Sequence, residues 1–224
     1  MTTLLAIETS GNVCSVAVSV DGALRTSTEI IVANVHDEAL LRCVRETMYN
    51  ADVSVGDLDA VAVSSGPGSF TGLRIGVSFA KGLCYNNCPR LLAVPTLTSL
   101  MHASTEVARL AGYSSIMAAI ASHRDLYYVS ISPTEHPTHV SEVLLLTREE
   151  ALSHVNQATL VVGPAAELFS ALPISGLTRL SARFIAYAAW RLLAANVPFV
   201  DSTTFVPDYN QEFVIQARKS SSEG

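Results

Sequence analysis

The sequence predicts an α/β fold built from two halves that repeat the same order of elements. Short apolar runs alternate with segments of helical period, and each half opens with three successive strands. Asp21-Gly22, between the second and third strands, is a strong hairpin signal. An ordinary doubly wound sheet is disfavoured, because its strands are parallel and are joined by helices from the start.

The first half, residues 1–110, is predicted to have the order βββαβαβα. Leu4–Ile7 is a short apolar run, and the apolar residues of Cys14–Val20 alternate with small ones, as in a strand with one buried face. The first helix has apolar residues at every fourth position, and the second begins after a turn at Gly66–Ser69. The predicted strands are 4–7, 14–20, 24–31, 60–63 and 91–94, and the predicted helices are 36–50, 71–83 and 96–110.

The second half, residues 111–224, repeats the opening of the first. The predicted strands are 116–121, 126–132, 140–146 and 160–162. We expect a short helix capped by Thr147, another that follows Gly163-Pro164 to about residue 171, and a last one from 182 to 195 capped by Ser181. The repeat predicts a duplicated ribonuclease-H-like (actin-like, ASKHA) fold of two domains, with a tail that can pack back on the first.

Composition and charge limit the classes of function. The chain has 14 Lys and Arg against 20 Asp and Glu, a net charge of −6, and its charged residues make up 15% against about 25% in ordinary domains. No basic stripe is evident in the sequence, which argues against independent nucleic-acid binding by the chain alone. The apolar surplus suits a compact core or a large partner interface. Four cysteines without zinc spacing, and no spanning or targeting segment, predict a cytoplasmic protein.

A phosphate site is conceivable at the turn after the first strand. Glu8, Thr9 and Ser10 offer a carboxylate and two hydroxyls, although a plain polar turn has the same composition. The matching turn at 121–124 has no carboxylate at its start, which weakens the alternative of an ATPase or phosphotransferase that uses Glu8 and the cleft between the halves. A metallopeptidase lacks its HExxH ligands, and we expect no metal.

The second helix carries a stripe of small residues. Gly72, Gly76 and Ala80 recur at every fourth position, and the rest of this helix is largely apolar. A glycine within a helix costs about 1 kcal/mol relative to alanine, so close approach of another backbone is the expected compensation. That backbone belongs either to a second layer of the same subunit or to another chain, and we favour another chain.

Two segments resemble the TsaB (YeaZ) family: Leu4–Ser10, and Ser65–Gly76 with its run GPGSFTGLRIG. The resemblance implies an actin-like paralogue of TsaD that pairs with TsaD. Together with the ATPase TsaE, this pair of proteins forms threonylcarbamoyladenosine in tRNA. The resemblance therefore implies that tRNA, and ATP if it is used, bind to the assembled complex. TsaB is regarded as non-catalytic. The metal-binding HxxxH positions of TsaD are Thr96 and Leu100 here, so no catalytic residue is expected.

The resemblance also implies a partner interface on the first two helices. Without TsaD, the same apolar face is expected to pair with itself, since a twofold dimer needs only one self-complementary surface. The expected interface residues are His36, Leu40, Val44, Gly72, Arg74, Gly76, Phe79 and Ala80. On this expectation Gly76→Leu gives a folded monomer that no longer supports tRNA modification. The chain departs from the family pattern at 121–123, where Asp-Ala-Arg is common, and at Gln211, where a C-terminal pattern has Arg.

Overall fold

The protein contains two mixed β-sheets with helices packed against them. The computed structural model describes residues 1–31, 36–135, 140, 142–170 and 173–208, without the side chains of residues 36–38 and 87. The elements are β1 (Thr3–Glu8), β2 (Cys14–Val20), β3 (Ala23–Ile30), α1 (His36–Asn50), β4 (Ala60–Ser64), α2 (Phe70–Leu83), β5 (Arg90–Val94), α3 (Thr96–Leu110), β6 (Ser115–Ala121), β7 (Leu126–Pro133), β8 (Leu144–Thr147), α4 (Arg148–Ser153), β9 (Thr159–Val162) and α5 (Ala182–Ala194).

The two sheets share one topology, which confirms the predicted duplicated ribonuclease-H-like fold. The first has the strand order β3-β2-β1-β4-β5, and the second has the order β8-β7-β6-β9. In each, an antiparallel meander of three strands is followed by a strand parallel to its first member. β1 and β4 are fully buried because helices cover both faces of the sheet, and their sequences are accordingly mostly apolar.

Helices α1 and α2 cover one face of the first sheet, and α5 covers the other. The second sheet packs against α3, and α3 also packs against α5, so these two helices lie between the sheets. The side chain of Ser181 caps α5 by accepting from the amide of Arg183, as predicted. Although α5 follows the second sheet in sequence, it thus completes the core of the first.

The segment after α5 returns along the first sheet. The amide of Val200 donates to the carbonyl of Leu91, which covers the edge of β5. Lys81 Nζ of α2 donates to the carbonyls of Thr203 and Phe205 at 3.1 and 3.0 Å. This segment, residues 199–208, therefore holds the C-terminal end of α2 in place.

Two predicted elements differ from those observed. The prediction of a helix after Gly163-Pro164 is wrong, because the structure has only a single 3-10 turn at Ala166–Leu168. The chain bends back directly after this turn. The ring of Phe169 then packs edge-on against Tyr127, with 5.0 Å between the ring centroids. The strand expected from residue 140 begins only at Leu144. Among the described residues, no helix has the length and apolar character needed to cross a bilayer.

Candidate functional site

The turn after β1 encloses a buried carboxylate. Glu8 is fully buried, and its Oε1 accepts from the amide and the hydroxyl of Ser10 at 2.5 and 2.6 Å and from the hydroxyl of Ser64 at 3.2 Å. Its other oxygen, Oε2, has no hydrogen-bond partner among the described residues. Burial raises the pKa of Glu8 to about 7, and the hydrogen bonds from Ser10 and Ser64 oppose that rise.

The glycine stripe of α2 packs on the same turn. Thr9 Oγ1 donates to the carbonyl of Gly72 at 2.8 Å. A Cβ added to Gly72 would lie 2.0 Å from the carbonyl oxygen of Thr9, and one added to Gly76 would lie 2.3 Å from Thr9 Oγ1. The expectation that this stripe admits another chain is therefore corrected, because the close approach is to the turn after β1 in the same chain. Ala80 continues the stripe into the core and is fully buried.

The glycine-rich segment before α2 joins this turn to the C-terminal segment. A Cβ on Gly68 would lie 2.5 Å from the carbonyl oxygen of Ser10, which accepts from the amide of Ser69. Gly66 has φ +111, and a Cβ there would collide with the carbonyl of Asp208. The GPGS run is thus a packing motif, in which glycine lets two other backbones approach.

A cleft of about 520 Å³ separates the two halves near this turn. Of the three residues predicted to hold a phosphate, Ser10 lines the cleft, whereas Glu8 and Thr9 are turned inward. The lining side chains include the hydroxyls of Ser69, Ser122 and Thr178 and the guanidinium of Arg179, and none of those described carries a carboxylate. Because Mg²⁺ requires oxygen ligands and favours carboxylates, this lining does not fit a magnesium nucleotide.

A second concave surface, of about 620 Å³, lies between α1 and α2, and we call it the α1–α2 groove. Its apolar side chains reach solvent: Leu41 is 52% exposed, Tyr49 86% and Val55 47%. The lining residues are Leu41, Val44, Arg45, Glu46, Met48, Tyr49, Val53, Ser54, Val55, Phe79 and Leu83. An exposed apolar surface of this kind is typical of a docking site.

The predicted interface residues with described positions separate into three groups, and His36 stands apart from them. Leu40 is buried in the core and cannot meet a partner directly, as is also true of both glycines and Ala80. Val44 and Phe79 line the α1–α2 groove. Arg74 is exposed, with its guanidinium carbon 5.3 Å from the ring centroid of Phe70. The side chain of His36 lies outside the described residues.

Sequence reasoning missed the most exposed apolar residues of the groove. Leu41 and Tyr49 of α1 fall outside the four-residue period that defines the buried side, and Val55 lies in the loop before β4. The sequence signal that could have found them is the number of apolar residues in α1, which exceeds what one buried stripe requires. That surplus marks a second apolar side on the helix.

The positions that correspond to the metal ligands of TsaD are interior packing positions. Thr96 and Leu100 are fully buried at the start of α3, where Thr96 Oγ1 lies 3.5 Å from Ser10 Oγ. Over the described part of the chain, no three His, Cys, Asp or Glu side chains are grouped as metal ligands would be. Gln211 lies outside the described residues.

Comparison with known proteins gives a consistent result. The family model for the tRNA N6-adenosine threonylcarbamoyltransferase TsaD matches residues 29–164, more than half of the chain. The TsaB proteins of Haemophilus influenzae and Escherichia coli are both 31% identical to it, over 57% and 59% of this chain and 52% and 56% of their own. The matches thus span about half the length of these relatives. The structure of YeaZ from Pseudomonas aeruginosa superposes with a TM-score of 0.73 at 26% identity, over 93% of this chain and all of that one.

Fold and turn together define an actin-like protein in which the part of the inter-half cleft formed by described residues has no carboxylate in its lining. The sequence similarity to TsaB proteins and the match to the TsaD family model identify the family within this class. The chain belongs to the TsaB (YeaZ) family, within the group that the TsaD family model describes.

Proposed function

We propose that the chain is a non-catalytic subunit that pairs with a TsaD-like paralogue and supports formation of threonylcarbamoyladenosine in tRNA, in the cytoplasm. The observation that carries the proposal is the α1–α2 groove, an apolar docking surface on a member of a family named for this pathway. The inward-facing Glu8, and Thr96 and Leu100 in place of metal ligands, argue that the chemistry resides in the partner. A TsaE-like ATPase then supplies ATP turnover to the complex.

The shape and chemistry of the groove favour a helix as its occupant. Its two walls are α1 and α2, and apolar side chains from both, such as Leu41 and Phe79, converge on it. An amphipathic helix laid into such a groove buries its own apolar side, which is the usual mode of helix-in-groove recognition. Arg45 and Glu46 are available at the rim for polar contacts. In the absence of the paralogue, a second copy can use the same surface to form a twofold dimer.

The interface prediction uses exposed residues, so that folding is preserved. Leu41→Asp combined with Tyr49→Asp is expected to weaken binding to the TsaD-like partner at least 30-fold, because large interface side chains in a desolvated centre contribute about 2 kcal/mol or more. The matched control is Leu110→Asp, since Leu110 is 81% exposed at the end of α3 and does not line the groove. Calorimetric titration of the partner measures the difference. Equal affinities of the double variant and the wild type for the partner would show that the interface lies outside the α1–α2 groove.

The cellular role has its own test. Depletion of the protein is expected to remove threonylcarbamoyladenosine from hydrolysed tRNA, and the wild-type chain but not the groove variant is expected to restore it. Measured nucleoside levels that do not change on depletion would refute the proposed function. ATP turnover by the isolated chain that is lost in Glu8→Ala would instead support the phosphotransferase alternative.

A further inference from the structure

The outward side of α5 is basic and aromatic: Arg183 and Tyr187 are exposed, and Arg191 is half-buried with its Nε enclosed. Arg183, Tyr187 and Arg191 recur at every fourth position, and this helix contains no acidic residue. The side chain of Arg183 is 48% exposed and Tyr187 is 46% exposed, and the guanidinium carbon of Arg191 lies 5.9 Å from the ring centroid of Tyr187. From Arg183 to Arg191 the helix rises about 12 Å, which matches about three phosphates along one strand of a duplex.

The charge around α5 opposes that of the whole chain. The elements packed on α5 are α3 and strands β1 to β5, and Arg179 lies just before its cap. These segments together hold six of the 14 Lys and Arg but only three of the 20 Asp and Glu of the chain. The six are Arg25, Arg90, Arg109, Arg179, Arg183 and Arg191, and the three are Glu8, Glu29 and Glu106. In a protein with a net charge of −6, α5 and the elements packed on it thus carry a local excess of cations.

The three acidic groups only partly neutralise this face. Glu8 is fully buried. Glu29 Oε1 lies 3.5 Å from Arg183 Nε and also accepts from the hydroxyl of Ser181, while Glu106 lies 3.7 Å from Arg109. Exposed ion pairs contribute about 1 kcal/mol or less, so the paired arginines remain able to exchange partners.

Four of these six arginines form no ion pair within the described residues: Arg25, Arg90, Arg179 and Arg191. Within the described residues, Arg25 on β3 and Arg179 before α5 form neither an ion pair nor a side-chain hydrogen bond. Both are exposed. Unpaired guanidinium groups on β3 and just before α5, together with the arginine–tyrosine stripe of α5, suit a polyanion, because Arg binds phosphate oxygens in pairs and stacks on bases.

We infer that this α5 face, made of Arg183, Tyr187 and Arg191 with Arg25 and Arg179 beside it, contacts the phosphate backbone of the tRNA when the complex is assembled. The inference rests on the proposed function, which supplies an RNA as the polyanion. Contacts to phosphate position an RNA without reading its sequence, so the face orients the substrate and the partner performs the chemistry. The overall negative charge keeps the isolated chain a weak binder, with a dissociation constant of about 10⁻⁴ to 10⁻⁶ M at physiological salt.

The test is the salt dependence of binding, measured on the purified full chain with unfractionated tRNA between 20 and 150 mM salt by fluorescence anisotropy. Each phosphate contact contributes about 0.7 to 0.9 to the slope of log K against log salt. Arg183→Gln with Arg191→Gln is therefore expected to reduce the slope by about 1.4 to 1.8. Arg183→Lys with Arg191→Lys keeps the charges and is expected to keep the slope. Tyr187→Ala is expected to weaken binding at every salt concentration with little change of slope.

The matched control is Arg124→Gln with Arg148→Gln, which removes two cations from the β6–β7 turn and from α4, outside the elements packed on α5. This variant is expected to keep the wild-type slope. A slope that the α5 double glutamine variant leaves unchanged, or that the control lowers equally, would overturn the inference. The outcome is independent of the proposed function, because nucleoside analysis after depletion tests the function in cells whereas the slope tests this face in vitro.

Discussion

Gly72→Ala is expected to lower the free energy of unfolding by about 3 kcal/mol and the melting temperature by about 6–12 °C. The reason is geometric: the new Cβ would stand 2.0 Å from the carbonyl oxygen of Thr9, which is backbone and cannot rotate away. Relief requires α2 to move off β1, and that movement stretches the 2.8 Å hydrogen bond from Thr9 Oγ1 to the Gly72 carbonyl. Both effects act in a fully buried place, where overpacking and a lost hydrogen bond are both costly.

The same helix offers the control. Gly82 lies near the end of α2, and a Cβ built there meets no atom within 4 Å apart from its chain neighbours and the adjacent helix backbone. Gly82→Ala is expected to stabilise the protein by about 0.5–1 kcal/mol through helix propensity alone. Thermal and urea unfolding of the two variants would show opposite signs. A Gly72→Ala variant as stable as the wild type would mean that α2 does not press on the β1 turn.

The order of elements could be predicted because it depends on local signals. Buried strands such as Leu4–Ile7 are short apolar runs, and Asp21-Gly22 is a dipeptide that favours a two-residue β-hairpin turn. The capping box at Thr147 and the cap at Ser181 also lie where the sequence places them. The sequence predicts a helix after Gly163-Pro164 where the structure has only the turn Ala166–Leu168, because the burial of Phe169, a tertiary effect, determines where the chain bends.

The site was harder to predict, because the sequence does not show which side of a helix faces which neighbour. Gly72 and Gly76 signal a close approach, but the sequence alone does not say whether the neighbour is Thr9 or another chain. The groove needs Leu41 and Phe79, which are far apart in sequence, on adjacent helices. The basic face of α5 collects arginines from several elements, and a net charge of −6 conceals them.

The stability of the protein is expected to fall by about 2–3 kcal/mol between pH 5 and pH 8 because of Glu8. Its folded-state pKa, about 7, lies above the ordinary value of 4.5, since burial disfavours the carboxylate. The folded protein therefore binds a proton that the unfolded chain has already released. The contribution is most favourable below pH 4.5 and is lost as the pH rises through 7, and the full difference between the two pKa values is worth about 3 kcal/mol.

Glu8→Gln isolates this effect, because glutamine has nearly the same shape, can still accept from Ser10 and Ser64, and does not titrate. The wild type is expected to approach or exceed the stability of the variant near pH 5 and to fall below it by pH 8, so the difference between their unfolding free energies changes by about 2–3 kcal/mol. Subtracting one curve from the other removes the contribution of the histidines, which titrate in the same range. Urea unfolding at half-unit steps of pH measures both curves. Parallel curves from pH 5 to 8 would contradict the raised pKa and imply that solvent or a cation reaches Oε2 of Glu8, which has no partner among the described residues.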